Sequence, residues 1–233
     1  MPIAQPIATD PLSAPDHSAL HRVISADPTG PAKTIQVDAA GVTTIGDPAL
    51  VNYARFAADG ELNLHGTARV NKIINLGIDG IASGGAAPAI NRTGNFYGYE
   101  FDINEDGFVR SFELPYDWDS GVNPILKIHW FINEAYGLGS GEVRWQINYN
   151  PVAETGEAVD SGNTPLDTGD INIPATAKFL VESSIVLTGI AVEDVIGLQI
   201  KRIALVGGAN PVADPVIVSL ELEYRSNKLG EAT

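Results

Sequence analysis

Hydrophobic and polar residues alternate along two neighbouring segments in the middle of the chain, residues 124–133 and 142–149. Their apolar positions are Leu126, Ile128, Trp130 and Ile132 in the first, and Val143, Trp145, Ile147 and Tyr149 in the second. A period of two over this length is typical of β-strands that bury one face. A short Gly-rich break, residues 136–141, separates the segments. The pattern therefore predicts a long antiparallel hairpin with its apolar face buried in a sheet.

The chain from Tyr97 onward continues in the same way, without helical periodicity. The candidate strands read FYGYEFD, FVRSFELP, ILKIHWFIN, EVRWQINYN, AKFLVES, SIVLTGIA, IGLQIKRIAL and VIVSLELEYR. The connections are often of turn length, apart from one longer acidic loop over residues 151–174. This series predicts an all-β antiparallel sandwich of the jelly-roll type, a head domain over residues 96–233.

The N-terminal part of the chain is predicted to contain three further segments. Residues 1–32 are rich in Pro, Ala, Asp and Ser and carry little periodic apolar sequence, which predicts an extended attachment arm. Residues 33–76 contain short strand-like pieces between D-x-x-G and D-G turns, which predicts a slender β stem that needs identical neighbours. Residues 77–95 are rich in Gly, Ala and Asn and are predicted to be a linker.

Composition and charge narrow the range of partners. The chain has 233 residues, of which 44% are hydrophobic, so it is long enough to bury a core. Its formal net charge of −15 disfavours nucleic acid and anionic membranes as partners. It contains no cysteine, which excludes disulfides and thiolate metal sites. Residues 1–10 do not resemble a secretory signal and no apolar run has the length of a membrane span, so we expect a soluble protein made in a cytoplasm.

One segment, DINEDGFVRSFE, has the spacing of a calcium-binding loop. The pattern D-x-N-x-D-G-x5-E places Asp102, Asn104, Asp106 and Glu113 at ligand positions. However, the flanking sequences are strand-like and Arg110 would put a positive charge beside the ion. A hairpin turn with a positive φ at Gly107 is therefore the favoured interpretation. Calcium remains the alternative, and no other cofactor is expected.

The remaining candidate residues are interpreted as packing residues more readily than as catalytic or ligand-binding residues. The four histidines, His17, His21, His65 and His129, are interpreted as ordinary packing residues. Trp130 and Trp145 are in phase with the apolar faces of their strands and are predicted to be core residues. Trp118, in the loop YDWDSG, is the candidate for a surface or glycan contact, although packing over the end of the sandwich is favoured there too. The motifs of serine hydrolases, zinc proteases and P-loop proteins are absent from the sequence, and we predict that the protein is not an enzyme.

Several motifs follow one another in a recognisable order: DPLSAPDHSALHRVI, VDAAGVTTIG, ADGELNLHGTARV, FELPYDWDSGVNPILKIHWFIN, EVRWQINY and SLELEYRSNKLGEAT. This order resembles the virion structural proteins of tailed bacteriophages. The resemblance covers nearly the whole chain, and its motifs belong to the scaffold. It implies a C-terminal jelly-roll head that trimerises on a thin β stem, with an N-terminal arm that attaches the trimer to the capsid or tail.

The hypothesis that follows is a homotrimeric capsid decoration protein, of the cement or head-fibre type. It would be assembled in the host bacterial cytoplasm and reside in the virion, bound to the major capsid protein or to other virion proteins. The apolar residues of the arm, Leu12, Leu20, Val23 and Ile24, would be buried against the shell. Three arms in one trimer would add avidity to this attachment.

Two alternatives remain open at the level of sequence. The first is a tail-fibre or baseplate tip protein whose head binds a host surface glycan. The second is a carbohydrate-binding module or a small glycan depolymerase, because an acidic chain always offers carboxylates and their separation in space is invisible in a sequence.

Overall fold

The computed structural model describes residues 23–24, 34–37, 40–45, 53–57, 60–65, 69–78, 81–137, 141–153, 156–160 and 164–229. The chain divides into two compact units, a first unit of residues 1–69 with 227–233 and a second unit of residues 70–226. The described residues contain no α-helix. Accordingly, no helix in this part of the chain is long and apolar enough to cross a membrane.

The strands are numbered in chain order. They are β1 (Val23–Ile24), β2 (Thr34–Val37), β3 (Thr43–Ile45), β4 (Tyr53–Phe56), β5 (Leu62–His65), β6 (Val70–Asn75), β7 (Ile81–Ser83), β8 (Ala89–Thr93), β9 (Phe96–Glu100), β10 (Asp106–Glu113), β11 (Ile125–Ile132), β12 (Glu142–Ala153), β13 (Thr164–Asp167), β14 (Ile171–Asn172), β15 (Val181–Val186), β16 (Asp194–Ile203), β17 (Pro215–Ser226) and β18 (Lys228–Leu229).

The first unit contains one antiparallel sheet with the order β1-β2-β3-β4-β5-β18. Its strands are only two to four residues long. Gly41 and Gly60, in the D-x-x-G and D-G turns, have φ values of 81° and 90°, which glycine adopts without a steric penalty. The ring of Tyr53 stacks on that of His65, with 4.1 Å between the ring centroids. His65 is thus a packing residue, as the sequence predicts.

The second unit is a sandwich of two antiparallel sheets. The front sheet has the order β13-β12-β16-β10-β7, with β14 also paired to β12. The back sheet has the order β15-β11-β17-β9-β8, with β6 also paired to β17. The pairs β9–β17, β10–β16, β11–β15 and β12–β13 nest inside one another, as in a long hairpin rolled up on itself. This connectivity is that of a jelly roll, so the predicted all-β sandwich is confirmed.

The core lies between the two sheets and is centred on two tryptophans. Trp130 of the back sheet and Trp145 of the front sheet are fully buried, with their ring centroids 6.2 Å apart in an edge-to-face arrangement. Phe101 meets Trp145 edge-on at 5.6 Å. Edge-to-face contacts are a favourable geometry for aromatic rings beyond the area that they bury. Both tryptophans are core residues, as their phase in the strands predicts.

The predicted hairpin between residues 124 and 149 is wrong. β11 pairs with β15 and β17 in the back sheet, whereas β12 pairs with β13, β14 and β16 in the front sheet. The two apolar faces therefore pack against each other across the core. A period of two identifies a strand and its buried face, but it does not identify the neighbouring strand.

The segment boundaries also differ from those expected. β6 lies within the predicted stem but pairs with β17 of the sandwich, where Ile74 and Leu76 pack against the core. The expected linker, residues 77–95, contains β7 and β8, which are strands of the front and back sheets. The expected acidic loop contains β13 and β14, and the segments AKFLVES and SIVLTGIA contribute one strand, β15. Short strands at sheet edges take their stability from a neighbour, so their own sequences signal them weakly.

Candidate functional site

The outer face of the front sheet carries a row of amide side chains beside an aromatic ring. Asn148 of β12 lies opposite Gln199 of β16, and Gln199 lies opposite Phe108 of β10. Two residues further along β12, Asn150 lies opposite Gly197. Side chains alternate between the two faces of a strand, so these residues share the face that points away from the core.

A carboxylate fixes the orientation of these amides. The side-chain nitrogen of Gln199 donates to Asp106 Oδ2, and Asn148 Nδ2 donates to Gln199 Oε1 at 2.8 Å. Asp106 Oδ1 also accepts from the backbone N–H of Ala86 at 3.1 Å. A carboxylate can only accept, so Gln199 must turn its nitrogen toward Asp106 and its oxygen toward Asn148. The carbonyl oxygen of Asn148 is then the atom at the end of this chain of hydrogen bonds.

A groove runs across this face of the sheet, and we call it the amide groove. It consists of two depressions of about 380 Å³ each, which share Ser111, Asn150, Val159 and Gly197. Gly197 leaves the floor of the groove open. A Cβ atom added at this position would meet only the carbonyl oxygen of Asn150, at 3.9 Å.

Two apolar side chains border the amide groove. The ring of Phe108 is 49% exposed, and Val159, in the segment 156–160, is 85% exposed. Asn150 Nδ2 donates to the carbonyl oxygen of Val159 at 2.7 Å, which ties this segment to the sheet. The groove thus has an aromatic surface on one side and a hydrogen-bonded border on the other.

The amide groove is nearly neutral, although the chain as a whole is strongly acidic. Among its described lining residues, Glu157 carries the only charge. The others are amides, Ser111, Gly197 and aliphatic or aromatic residues. Such a surface fits an uncharged ligand with many hydroxyl groups, because amides both donate and accept hydrogen bonds.

The structure does not bring the predicted calcium ligands together. Asp102 Oδ1 accepts from the N–H of Ile103 at 2.6 Å, and Asp106 is engaged by Gln199 and Ala86. Glu113 ends β10, the strand that Asp106 begins, so about 23 Å of extended chain separates the two residues at the usual rise per residue. The described residues contain no group of three or more His, Asp or Glu side chains that could hold a metal ion.

The turn that the sequence analysis favoured for this segment is present, but a different residue has the positive φ. The positive φ, 70°, belongs to Asn104 and not to Gly107, which is the second residue of β10. Asn tolerates the left-handed conformation better than most residues, so it can take the role expected of glycine. The sequence match reflects a turn followed directly by a strand.

Trp118 is a core residue and not a surface contact. It is 3% exposed, and its Nε1 donates to the carbonyl oxygen of Val122 at 2.9 Å. The carboxylates on either side fold the loop onto β17: Asp119 accepts from Arg225 Nε at 2.8 Å, and Asp117 accepts from Ser226 Oγ at 2.7 Å. These hydrogen bonds keep the indole ring buried at the end of the sandwich. Packing at this end, the favoured interpretation of the sequence, is the one that the structure shows.

Asp117 is a buried carboxylate held by three donors. Lys72, Ser226 and Tyr224 donate to it, Tyr224 at 3.3 Å. Burial alone would raise the pKa of Asp117, but the hydrogen bonds from Lys72 and Ser226 outweigh burial and hold this pKa below its usual value. Burial, together with the neighbouring Asp117 charge, raises the pKa of Tyr224 to about 12. The ionised form of Asp117 therefore stabilises the fold.

Replacement of Asp117 by asparagine is expected to lower the free energy of unfolding at pH 7 by about 2 kcal/mol, since charged hydrogen bonds are lost. The folded pKa is depressed, so this stabilisation is present above the ordinary aspartate pKa of about 3.9 and is lost as the pH falls through the folded value. Urea unfolding of the unaltered protein and of Asp117→Asn, at several pH values in the acid range, measures the two free energies of unfolding. The difference between them should shrink below about pH 4.

Asp160→Asn, at an exposed position, is the control and should leave both stability and its pH dependence unchanged. If Asp117→Asn is as stable as the unaltered protein at pH 7, the stabilising role of this carboxylate is refuted.

The other predicted residues lie as follows. Leu12 and Leu20, like His17 and His21, lie outside the described residues. Val23 and Ile24 form β1, whose backbone pairs with Ile35 and Thr34 of β2. His129 lies on the outer face of the back sheet, with its Nε2 atom 3.3 Å from Glu182. The attachment role of the arm residues stays a prediction.

The sequence analysis did not identify the outward-facing residues of the amide groove as a site. Gln146, Asn148 and Asn150 form the polar side of the alternation in β12 and read simply as its solvent face. One feature of the sequence could have indicated a binding surface: three successive outward positions of β12 carry amides and not charged side chains. Phe108 carries a similar signal, since it falls on the polar side of β10.

The fold and the groove together define an all-β jelly-roll protein with a neutral, amide-lined groove on one sheet. No family model and no curated protein matches the chain. Among solved structures, a xylan-binding module, CBM15, is similar with a TM-score of 0.42 and 10% identity, over 66% of this chain and 97% of the module. The CBM22-1-GH10 modules of the Clostridium thermocellum N-terminal endo-1,4-beta-D-xylanase 10B, complexed with xylohexaose, give a TM-score of 0.36 and 15% identity, over 70% of this chain and 30% of theirs.

Proposed function

We propose that the second unit is a non-catalytic glycan-binding module, which holds an uncharged saccharide chain in the amide groove. One observation carries the proposal: an exposed phenylalanine lies beside hydrogen-bonded amides in a groove where Glu157 is the only charged residue among the described lining residues. A pyranose ring has an apolar face and a rim of hydroxyl groups. It therefore requires an aromatic surface and polar side chains of both hydrogen-bonding senses at one site.

The size and rigidity of the amide groove support this proposal. Its two depressions, of about 380 Å³ each, lie side by side and suit an elongated ligand. Asn148, Gln199 and Asn150 are held by hydrogen bonds before any ligand arrives. Side chains fixed in this way lose little conformational entropy on binding.

The composition of the amide groove also favours binding over cleavage. Most glycoside hydrolases use two carboxyl groups that flank the scissile bond. Glu157 is the only carboxylate among the described residues that line the groove. The depolymerase alternative would require a second carboxyl group here, and we propose that the module is not an enzyme.

Gly197→Val is expected to weaken saccharide binding without loss of stability. The added side chain enters open space over the groove floor, and valine favours the extended backbone of β16. Native affinity electrophoresis of the full-length protein, in gels that contain neutral soluble polysaccharides such as xylan, mixed-linkage glucan or galactomannan, measures binding as retardation. We expect the affinity of Gly197→Val to fall about tenfold.

Gly207→Val is the matched control, because a Cβ atom added at Gly207 also meets nothing within 4 Å and this glycine does not line the amide groove. It should be retarded like the unaltered protein. Retardation that is equal for all three proteins would refute the groove as the site.

A second candidate function is the homotrimeric virion protein that the sequence resembles. The short strands of the first unit favour it, because a sheet of strands two to four residues long buries little apolar surface and gains from identical neighbours. In this proposal residues 1–32 attach the trimer to the capsid through contacts with the major capsid protein, and the second unit is the head. A tail-fibre or baseplate tip would add host glycan as the ligand of the amide groove.

Mass spectrometry of phage particles purified from cells that carry the gene tests this second candidate. Particles should contain the full-length chain and lack a chain without residues 1–32. Particles free of the full-length chain would exclude the virion proposal and leave the glycan proposal intact.

A further inference from the structure

A second surface of the sandwich unit, separate from the amide groove, is both apolar and basic. Phe96 is 60% exposed and Leu180 is 57% exposed. Together with Thr93, Phe131 and Lys178 they line a depression of about 120 Å³, and we call these five residues the Phe96 patch. Phe179, next to Leu180, is exposed to a similar degree. Large exposed apolar residues gathered at one place mark an interaction surface.

The backbone holds the Phe96 patch in a fixed shape. Thr93 and Phe96 face each other at the tip of the β8–β9 hairpin, and Thr93 Oγ1 donates to Asn133 Oδ1 at 3.0 Å. On the other side, the N–H of Lys178 donates to the carbonyl oxygen of Ile132 at 2.8 Å. The φ of Lys178 is 65°, a conformation that a lysine adopts at an energetic cost. The turn that presents Lys178 and Leu180 is thus held in place by this hydrogen bond.

The charge of the Phe96 patch is opposite to that of the chain. Its lining residues include Lys178 and no carboxylate. Arg92 lines a second depression of about 310 Å³, which shares Phe96 with the first and has no carboxylate among its lining residues. Neither Arg92 nor Lys178 forms an ion pair with another described residue. In a chain of net charge −15, the patch therefore selects an acidic partner.

We infer that the Phe96 patch binds a second copy of this chain. Two copies of so acidic a protein repel each other over most of their surface. The Phe96 patch combines exposed apolar side chains with positive charge. It can therefore contact carboxylates of the second copy, such as its half-exposed Glu182. Closed assemblies of identical chains are the commonest oligomers of soluble proteins. This inference is independent of the proposed glycan binding, which uses the other sheet.

The double variant Phe96→Ser, Leu180→Ser tests the inference in the full-length protein. Sedimentation equilibrium over a range of concentrations gives the dissociation constant of the assembly. The unaltered chain should have the mass of more than one copy at high concentration. The double variant should dissociate at least about tenfold more readily, because exposed aromatic and aliphatic anchors carry much of the energy of an interface.

Phe108→Ser is the matched control, since Phe108 is also about half exposed but lies in the amide groove. It should leave the dissociation constant unchanged. Lys178→Glu provides a second test, because reversal of this charge should weaken assembly and reduce its dependence on salt. Thermal unfolding checks that each variant is folded.

Single-chain mass at every concentration would overturn the inference, and so would a dissociation constant that the double variant leaves unchanged. Loss of saccharide retardation in the double variant, with its mass unaltered, would instead make the Phe96 patch a ligand site and would likewise overturn the inference.

Discussion

Phe108→Ala is expected to reduce the affinity for a bound polysaccharide by about tenfold to a hundredfold, the largest functional effect of any single substitution in the amide groove. The ring is half exposed, and among the described residues it is the only aromatic side chain on the outer face of the front sheet that lines the groove. Its removal takes away the apolar surface and leaves the amides of Asn148 and Gln199 in place. Affinity electrophoresis against each neutral polysaccharide measures the change.

Phe96→Ala is the control for this substitution, because Phe96 is also at least half exposed but lies on the other sheet. It should be retarded like the unaltered protein. Equal retardation of Phe108→Ala and the unaltered protein would show that the ring does not contact the saccharide.

Trp145→Ala is expected to lower the free energy of unfolding by about 3 to 5 kcal/mol, the largest effect on stability. Trp145 is fully buried and meets the rings of Phe101 and Trp130, both from the back-sheet side of the core. Alanine would leave a cavity where the two sheets touch. Urea unfolding followed by circular dichroism measures the loss, with the slope of the transition as a check on cooperativity.

Trp145→Phe is the matched variant. The indole Nε1 atom of Trp145 is buried and has no hydrogen-bond partner among the described residues, so phenylalanine removes volume without breaking a hydrogen bond. Trp145→Phe should lower the free energy of unfolding by less than half as much as Trp145→Ala. A loss below about 1 kcal/mol for Trp145→Ala would contradict the central place of this residue in the core.

The sequence predicts the strands of the sandwich better than it predicts their neighbours. The apolar phase of Trp130 and Trp145 identifies their buried faces, because that phase is a local property of the chain. Which sheet each strand joins depends on contacts with β15, β16 and β17, which lie far away in the sequence. The predicted hairpin failed for this reason.

Arg202 shows a second limit of sequence patterns. It falls on the apolar face of β16 and is 1% exposed. Its guanidinium donates to the carbonyl oxygen of Phe101 at 2.8 Å and to Asp214 at 2.5 Å. Burial of a charged group requires such partners, and both lie outside β16. In the sequence of β16, Arg202 interrupts the apolar face. In the structure, this residue is buried with the rest of that face.

The candidate site was beyond the reach of motif reasoning for a related reason. Calcium loops and tryptophan platforms are recognised from residues close together in the sequence, and these led to Asp102–Glu113 and Trp118. The amide groove combines Phe108, Asn148 and Gln199, which come from three strands and meet only through the register of the front sheet. The outward amides of β12 and the outward Phe108 of β10 are visible in the sequence, but the sequence does not show that they lie side by side.

The most direct test of the glycan proposal is an NMR titration of the full-length protein with the neutral saccharide that retards it most strongly. The side-chain amide signals of Asn148, Asn150 and Gln199 report on the amide groove itself. We predict that these signals shift together and saturate with one dissociation constant, while the signals of the Phe96 patch stay in place. Amide-groove signals that stay fixed at saturating saccharide, or the absence of any binding saccharide among the neutral polysaccharides tested, would contradict the proposal.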